Sequence, residues 1–234
     1  MFILKKKNKI CLVFLFVVSS YNLFSKDIRT LYPKEYKNAL SLKPQYEALF
    51  KEHGIENTDF YIALVFPEMI RYNEIQDELE SLLNKVAYTT IDTYSGCSIS
   101  PFQIKPACAL EIEEIVKTNK ELKKKYPLIC DLDSSNSFST KLKRINRLQQ
   151  KKYQIEYLLA FVDICETKYN LSKESEIEKL RVTSAAYNIG LLENVDDFDN
   201  FLSINCFPHG SKSPDSYWNY TELVLDFYDQ FSNE

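Results

Sequence analysis

Three short runs of this chain carry side chains able to move a proton or grip a polar ligand. Glu68 sits in ALVFPEMIRY, residues 63–72. A carboxyl group planted among Leu64, Val65, Phe66 and Met69 loses hydration, which penalises its ionised form and raises its pKa. A general acid working at neutral pH needs that shift. Pro67 cannot donate a backbone hydrogen bond and is expected to kink or end the helix there, opening one side to a cleft. The competing expectation is structural: Arg71, three residues on, can pair with Glu68. The second run is SGCSISPFQIKPACALEIE, residues 95–113, which offers Ser98 and Gln103 from a loop; the third is SAAYNIG, residues 184–190, which offers Tyr187 and Asn188. Each also reads as packing, since Phe102 and Ile104 alternate like a short strand and Tyr187 follows two alanines on a helix.

Other chemistries have thinner support. The two histidines, His53 beside Gly54 and His209 in FPHGSKSPD, read as exposed turn residues. A Cys206–His209 nucleophile pair is a conceivable rival. The cysteines are widely spaced with no CxxC, so no zinc site, and no metal or cofactor, is expected. Lys141, Lys143, Arg144, Arg147, Lys151 and Lys152 fall at near-helical spacing and read as a solvated face. A secondary reading gives that face the carboxylates of peptide stems or another anionic envelope polymer.

The elements that must position these groups are helical. Four glycines in 234 residues and long charged-apolar periodic stretches favour helix over sheet. Residues 34–53 read as helical pieces broken near Pro44. Thr58 or Asp59 caps a helix through Phe60, Ala63, Leu64, Phe66 and Ile70, apolar nearly all round and therefore buried. An amphipathic helix follows, with Ile75, Leu79, Leu82, Leu83 and Val86 on one side. Residues 89–106 read as a loop or short hairpin, and helix resumes at about Ala107. Lys123 to Lys125 and Asp131 to Ser137 frame a second irregular stretch. Later helices are expected over roughly 138–169, from Glu174 to a cap at Gly190, and over roughly 214–231.

The first 25 residues read as a secretory signal: Lys5, Lys6, Lys7 and Lys9, the apolar run ICLVFLFVV over 10–18, and a small residue at Ser25. The run is short for a bilayer span, so membrane contact is expected only through this segment if it stays uncleaved. Without it, 25 basic residues face 33 acidic ones, a net charge of −8 against −4 for the whole chain. An acidic, exported protein is a poor partner for nucleic acid, whose binding rests on phosphate neutralisation. Five cysteines then remain (Cys97, Cys108, Cys130, Cys165 and Cys206), as disulfides or as buried thiols.

In their order along the chain, the three runs resemble the signature of the lysozyme-like lytic transglycosylases. That family places a catalytic Glu at the end of an apolar helix, then a loop of the form G-x-G-L-M-Q-I-x-P, then a helix ending in A-Y-N-A-G. Here these stand as Glu68, as Ile99-Ser100-Pro101-Phe102-Gln103-Ile104-Lys105-Pro106, and as Ala186-Tyr187-Asn188-Ile189-Gly190. The tail YWNYTELVLDFY is similar to the aromatic helix that follows. The resemblance covers roughly residues 58–231. Met69 replaces the usual Ser, Ser98 and Ser100 replace the loop glycines, and the 35-residue gap from Glu68 to Gln103 is long.

The resemblance implies an all-α, lysozyme-like domain over 58–234, with a short irregular or β-like loop beside the cleft and residues 26–57 as an N-terminal helical extension. It implies cleavage of peptidoglycan glycan strands in the periplasm or outside the cell, with Glu68 as acid and then base. Gln103, Asn188 and Ser98 would contact sugar, and Tyr187 would orient Glu68. A hydrolytic lysozyme needs a second carboxylate. Asp92, Glu80 and Asp131 are available but sit in no matching motif. The other alternative is a non-catalytic cell-wall binding protein of the same fold.

Overall fold

A computed structural model describes residues 27–72, 99, 101–132, 137–191, 195–198 and 201–233. The fold is all-α. Among the described residues there are ten α-helices and no strand: α1 (Ile28–Leu31), α2 (Pro33–Glu52), α3 (Thr58–Arg71), α4 (Pro106–Thr118), α5 (Lys120–Lys125), α6 (Pro127–Cys130), α7 (Phe138–Leu148), α8 (Lys151–Lys168), α9 (Glu176–Ile189) and α10 (Tyr220–Ser232). Two 3-10 turns, Leu171–Lys173 and Val195–Phe198, join them. The first 25 residues, the amphipathic segment 75–86, Cys97 and Ser98 lie outside the described residues.

Helix α3 is the central pillar. Residues Ile62 through Ile70 are all buried, as expected for a segment apolar on every face. It packs against α2, α9 and α10. Phe66 anchors two of these contacts, with ring centroids 4.7 Å from Phe227, 5.0 Å from Phe231 and 5.9 Å from Tyr36. Fully burying such a ring contributes about 1.5–3 kcal/mol. Helix α8 is a second buried rod, packed against α4, α6, α7 and α9. One core includes residues of α1 and α2 as well as those beyond residue 58, so the N-terminal helices are built into the domain.

Several sequence expectations need correction. Pro44 does not break α2, which runs unbroken from Pro33 to Glu52. Pro44 is exposed, so water can serve the carbonyl its ring leaves unbonded, while Tyr46 and Phe50 stay buried. Pro67 likewise lies inside α3, which continues to Arg71. It cannot donate to the Ala63 carbonyl, but the Tyr220 hydroxyl donates to the next one, Leu64, at 3.0 Å. Residues 138–169 form two helices, parted at Gln149–Gln150. The Leu148 carbonyl at that break accepts from Gln154 Nε2 at 2.6 Å. Helix α10 starts only at Tyr220, where the Asn219 side chain accepts from the Glu222 amide. The basic run is not one solvated face: Lys141 and Arg144 are buried, while Lys143, Lys151 and Lys152 are exposed.

Arg144 is buried for a specific reason. Its Nε and Nη2 each donate at 2.8 Å to the two oxygens of Glu113, and the Tyr157 hydroxyl donates to Glu113 Oε1 at 2.6 Å. None of these three residues is exposed to solvent. The bidentate geometry offsets the cost of desolvating both charges. This knot ties α4 to α7 and α8, and α8 carries the side chain that shapes the candidate site.

Candidate active site

Glu68 lies in the last turn of α3 and is 8 % exposed. Its Oε2 stands 3.4 Å from Nη1 of Arg71, one turn further on. The pairing anticipated as the structural alternative is therefore present. Arg71 itself is exposed, so the pair sits where a greasy helix end meets solvent, not on an open surface.

Two tyrosines from later helices lie within electrostatic reach of this carboxyl. Burial pushes the phenol of Tyr187 well above its ordinary value, and the negative charge of Glu68 adds to the shift. The same two causes, in the same order, act on Tyr220, where Arg71 opposes them. The rings of Tyr187 and Tyr220 stack, with centroids 6.4 Å apart and planes at 24°. Phe161 of α8 meets Tyr187 edge-on at 5.4 Å. Both phenols thus remain neutral donors at physiological pH. The motif implied that Tyr187 would orient Glu68, but its hydroxyl donates to the Phe102 carbonyl and makes no hydrogen bond to Glu68. Tyr220 was not expected here; its signal was the aromatic density of the tail, which says that a ring is buried but not what it faces.

The loop between Ile99 and Ile104 is pinned from two sides. Ile99 and Ile104 form an isolated antiparallel bridge, the Ile99 amide donating to the Ile104 carbonyl at 3.2 Å. Gln154 of α8 clamps its inner face. The Gln154 Oε1 accepts from the Phe102 amide at 3.2 Å, and its Nε2 donates to the Ile99 carbonyl at 2.8 Å. Phe102 is fully buried, with ring centroids 4.8 Å from Tyr46 and 6.3 Å from Phe50. From the other side the Tyr187 hydroxyl donates to the Phe102 carbonyl at 2.6 Å. Between these anchors Gln103 adopts a left-handed backbone, φ +56°, uncommon for a residue other than glycine. Over-determined neighbours sustain such strain. Gln154 is the positioning residue that the sequence concealed, because a glutamine in an amphipathic stretch looks like solvent-facing filler.

The three runs therefore meet through Tyr187, which touches the loop and lies within electrostatic reach of Glu68. Asn188 points elsewhere: its Nδ2 donates to Cys206 Sγ at 3.0 Å. Cys206 in turn lies within electrostatic reach of Tyr220, so Asn188 borders the cluster and does not share the loop contact. Gly190, at φ +108°, ends α9 directly after this segment. Ser98 cannot be placed, being outside the described residues.

Rival chemistries find little here. Among the described residues no group of three His, Cys, Asp or Glu side chains could hold a metal ion. His209 is exposed and shares no hydrogen bond with Cys206 among the described residues. Cys108, Cys130, Cys165 and Cys206 are not in disulfides. Asp131 is engaged by Arg147. Among the described residues no helix is long and apolar enough to cross a membrane. No protein-family model, curated protein or solved structure matches the chain.

Proposed function

We propose that this protein is a lytic transglycosylase that cleaves the glycan strands of peptidoglycan outside the cytoplasm, with Glu68 as its single catalytic carboxyl. The observation supporting this reading is the meeting of Glu68, Tyr187 and the Gln103 loop, three segments far apart in sequence. A sheltered carboxyl at a helix end can hand a proton to the glycosidic oxygen between N-acetylmuramic acid and N-acetylglucosamine. The carboxylate so formed takes the proton of the muramoyl 6-hydroxyl as that oxygen closes on C1, giving a 1,6-anhydro product. The substrate's own N-acetyl group stabilises the positive centre, so no protein nucleophile is required.

The remaining residues serve position. Tyr187 and Tyr220, held as neutral phenols, line the carboxyl without competing for its proton. Gln103, held in an unusual backbone conformation, contacts the sugar from the loop. Incubating purified protein with peptidoglycan and weighing the released fragments by mass spectrometry tests this directly. Anhydro ends support the proposal, whereas reducing ends make the protein a hydrolytic lysozyme. Binding of glycan with no release makes it a wall-binding relative. A Glu68→Gln protein should release no fragments while keeping its helical spectrum; undiminished release would refute the acid role.

A further inference from the structure

A cavity lies at the opposite end of α3 from Glu68. The 11 residues from Asn57 to Glu68 put it about 16 Å away along the helix axis. Its volume is about 620 Å³, in the range of small-molecule sites. Phe60, Tyr61, Val162 and Leu171 supply apolar and aromatic wall. Glu56, Glu166, Glu174 and Glu176 supply four carboxylates, against one cation, Lys179. Lys179 is already paired with Glu166 at 2.8 Å, and Glu176 accepts from Asn57 and Tyr228. Glu56 and Glu174 are exposed and have no ion pair among the described residues.

Two further facts say that this is more than an acidic rim. Thr183 lines the cavity and is 1 % exposed, yet its hydroxyl makes no hydrogen bond with another described residue. A buried hydroxyl in that state wants a partner from within the cavity. Tyr61 shows the sign of the local field: burial pushes its phenol up to about 12, with Asp163, Glu166 and Glu176 adding to the shift. The amino ends of α3 and α9 also face this region and bring some positive potential. Lys179 and two half-charges do not outweigh four carboxylates, so an anion is repelled.

We infer that this cavity binds a small organic cation, an ammonium carried on an apolar body. The body packs against Phe60 and Tyr61, whose faces attract the charge as well. The ammonium lies between Glu56 and Glu174, and the Thr183 hydroxyl takes one hydrogen bond inside. None of these residues belongs to the Glu68 cluster, so the inference stands or falls apart from the proposed activity.

Phenethylamine is a suitable probe, with 2-phenylethanol and phenylacetate as the neutral and anionic counterparts. Titrations of the full-length protein followed by NMR should show saturable binding of the amine at millimolar concentration, with shifts centred on Tyr61 and Thr183. The alcohol should bind more weakly and the acid not at all. Glu56→Gln/Glu174→Gln, both at exposed positions, should weaken the amine about tenfold without altering the helical spectrum. Thr183→Val should weaken it by a smaller factor. Equal binding of all three probes, shifts located elsewhere, an unaffected double variant, or no binding would overturn the inference.

Discussion

The hydroxyl of Tyr187 holds the carbonyl of Phe102, 85 residues earlier, at 2.6 Å, so the end of α9 and the Gln103 loop form one unit. Tyr187 is also the residue of α9 that senses the charge of Glu68. One side chain therefore carries information between acid and loop. Replacing it with Phe keeps the ring packed on Phe161 and removes only the tether. Tyr187→Phe should lower stability by about 1 kcal/mol, the ordinary net value of a hydrogen bond. Fragment release should fall much further, by about tenfold or more, because the Gln103 loop loses its outer anchor. Melting curves and release assays on the same preparations separate the two effects, and equal loss in both would point to packing alone.

The buried knot of Glu113, Arg144 and Tyr157 makes a different demand. Each charge is tolerated only because the other is present. Arg144→Met or Glu113→Leu alone should cost about 3–5 kcal/mol, since one uncompensated charge stays inside. The double substitution should recover most of that loss. Urea unfolding of the four proteins closes the cycle. Single variants costing under about 1 kcal/mol would mean that water reaches the knot.

This knot also shows where reading the sequence stops. Apolar periodicity identified α3 and its burial, and a glycine after the last periodic residue identified the cap at Gly190, because each is a local property of a run of residues. The spacing of Lys141, Arg144 and Arg147 suggested a wet face because periodicity orders side chains around a helix without saying what lies opposite. Glu113, the partner that buries Arg144, stands 31 residues away. Gln154 and Tyr220 stayed hidden for the same reason: their roles depend on carbonyls at Ile99 and Leu64, and a backbone acceptor has no signature in sequence. Glu68 and Tyr187 were legible because a carboxyl in a greasy run and a tyrosine before a helix-ending glycine are locally unusual.

Strong base should unfold the protein through its tyrosines. Burial raises the phenols of Tyr46, Tyr157, Tyr187 and Tyr220 above the ordinary value of 10. The unfolded chain ionises them near pH 10, while the folded chain keeps them protonated. Their contribution is therefore complete below pH 10 and declines as pH climbs beyond it; they add no acid sensitivity. Phenolate absorbance and helical circular dichroism should be recorded together on raising pH. The exposed tyrosines should ionise first with the helix signal intact, and the buried set only as that signal collapses. Ionisation of all 16 tyrosines with helices preserved would contradict the burial described here.

Arg71 offers a finer test of the acid. Its guanidinium, 3.4 Å from Glu68, favours the ionised carboxylate, whereas the first chemical step needs the protonated form. Arg71→Gln removes the charge from an exposed side chain, with little expected loss of stability. Activity that depends on a protonated Glu68 should then persist to higher pH, so the alkaline limb of the release profile moves upward. The displacement should be modest, because solvent screens an exposed partner, and it should shrink as salt is added. A limb that stays in place at low salt, or moves downward, would mean that some other group supplies the proton.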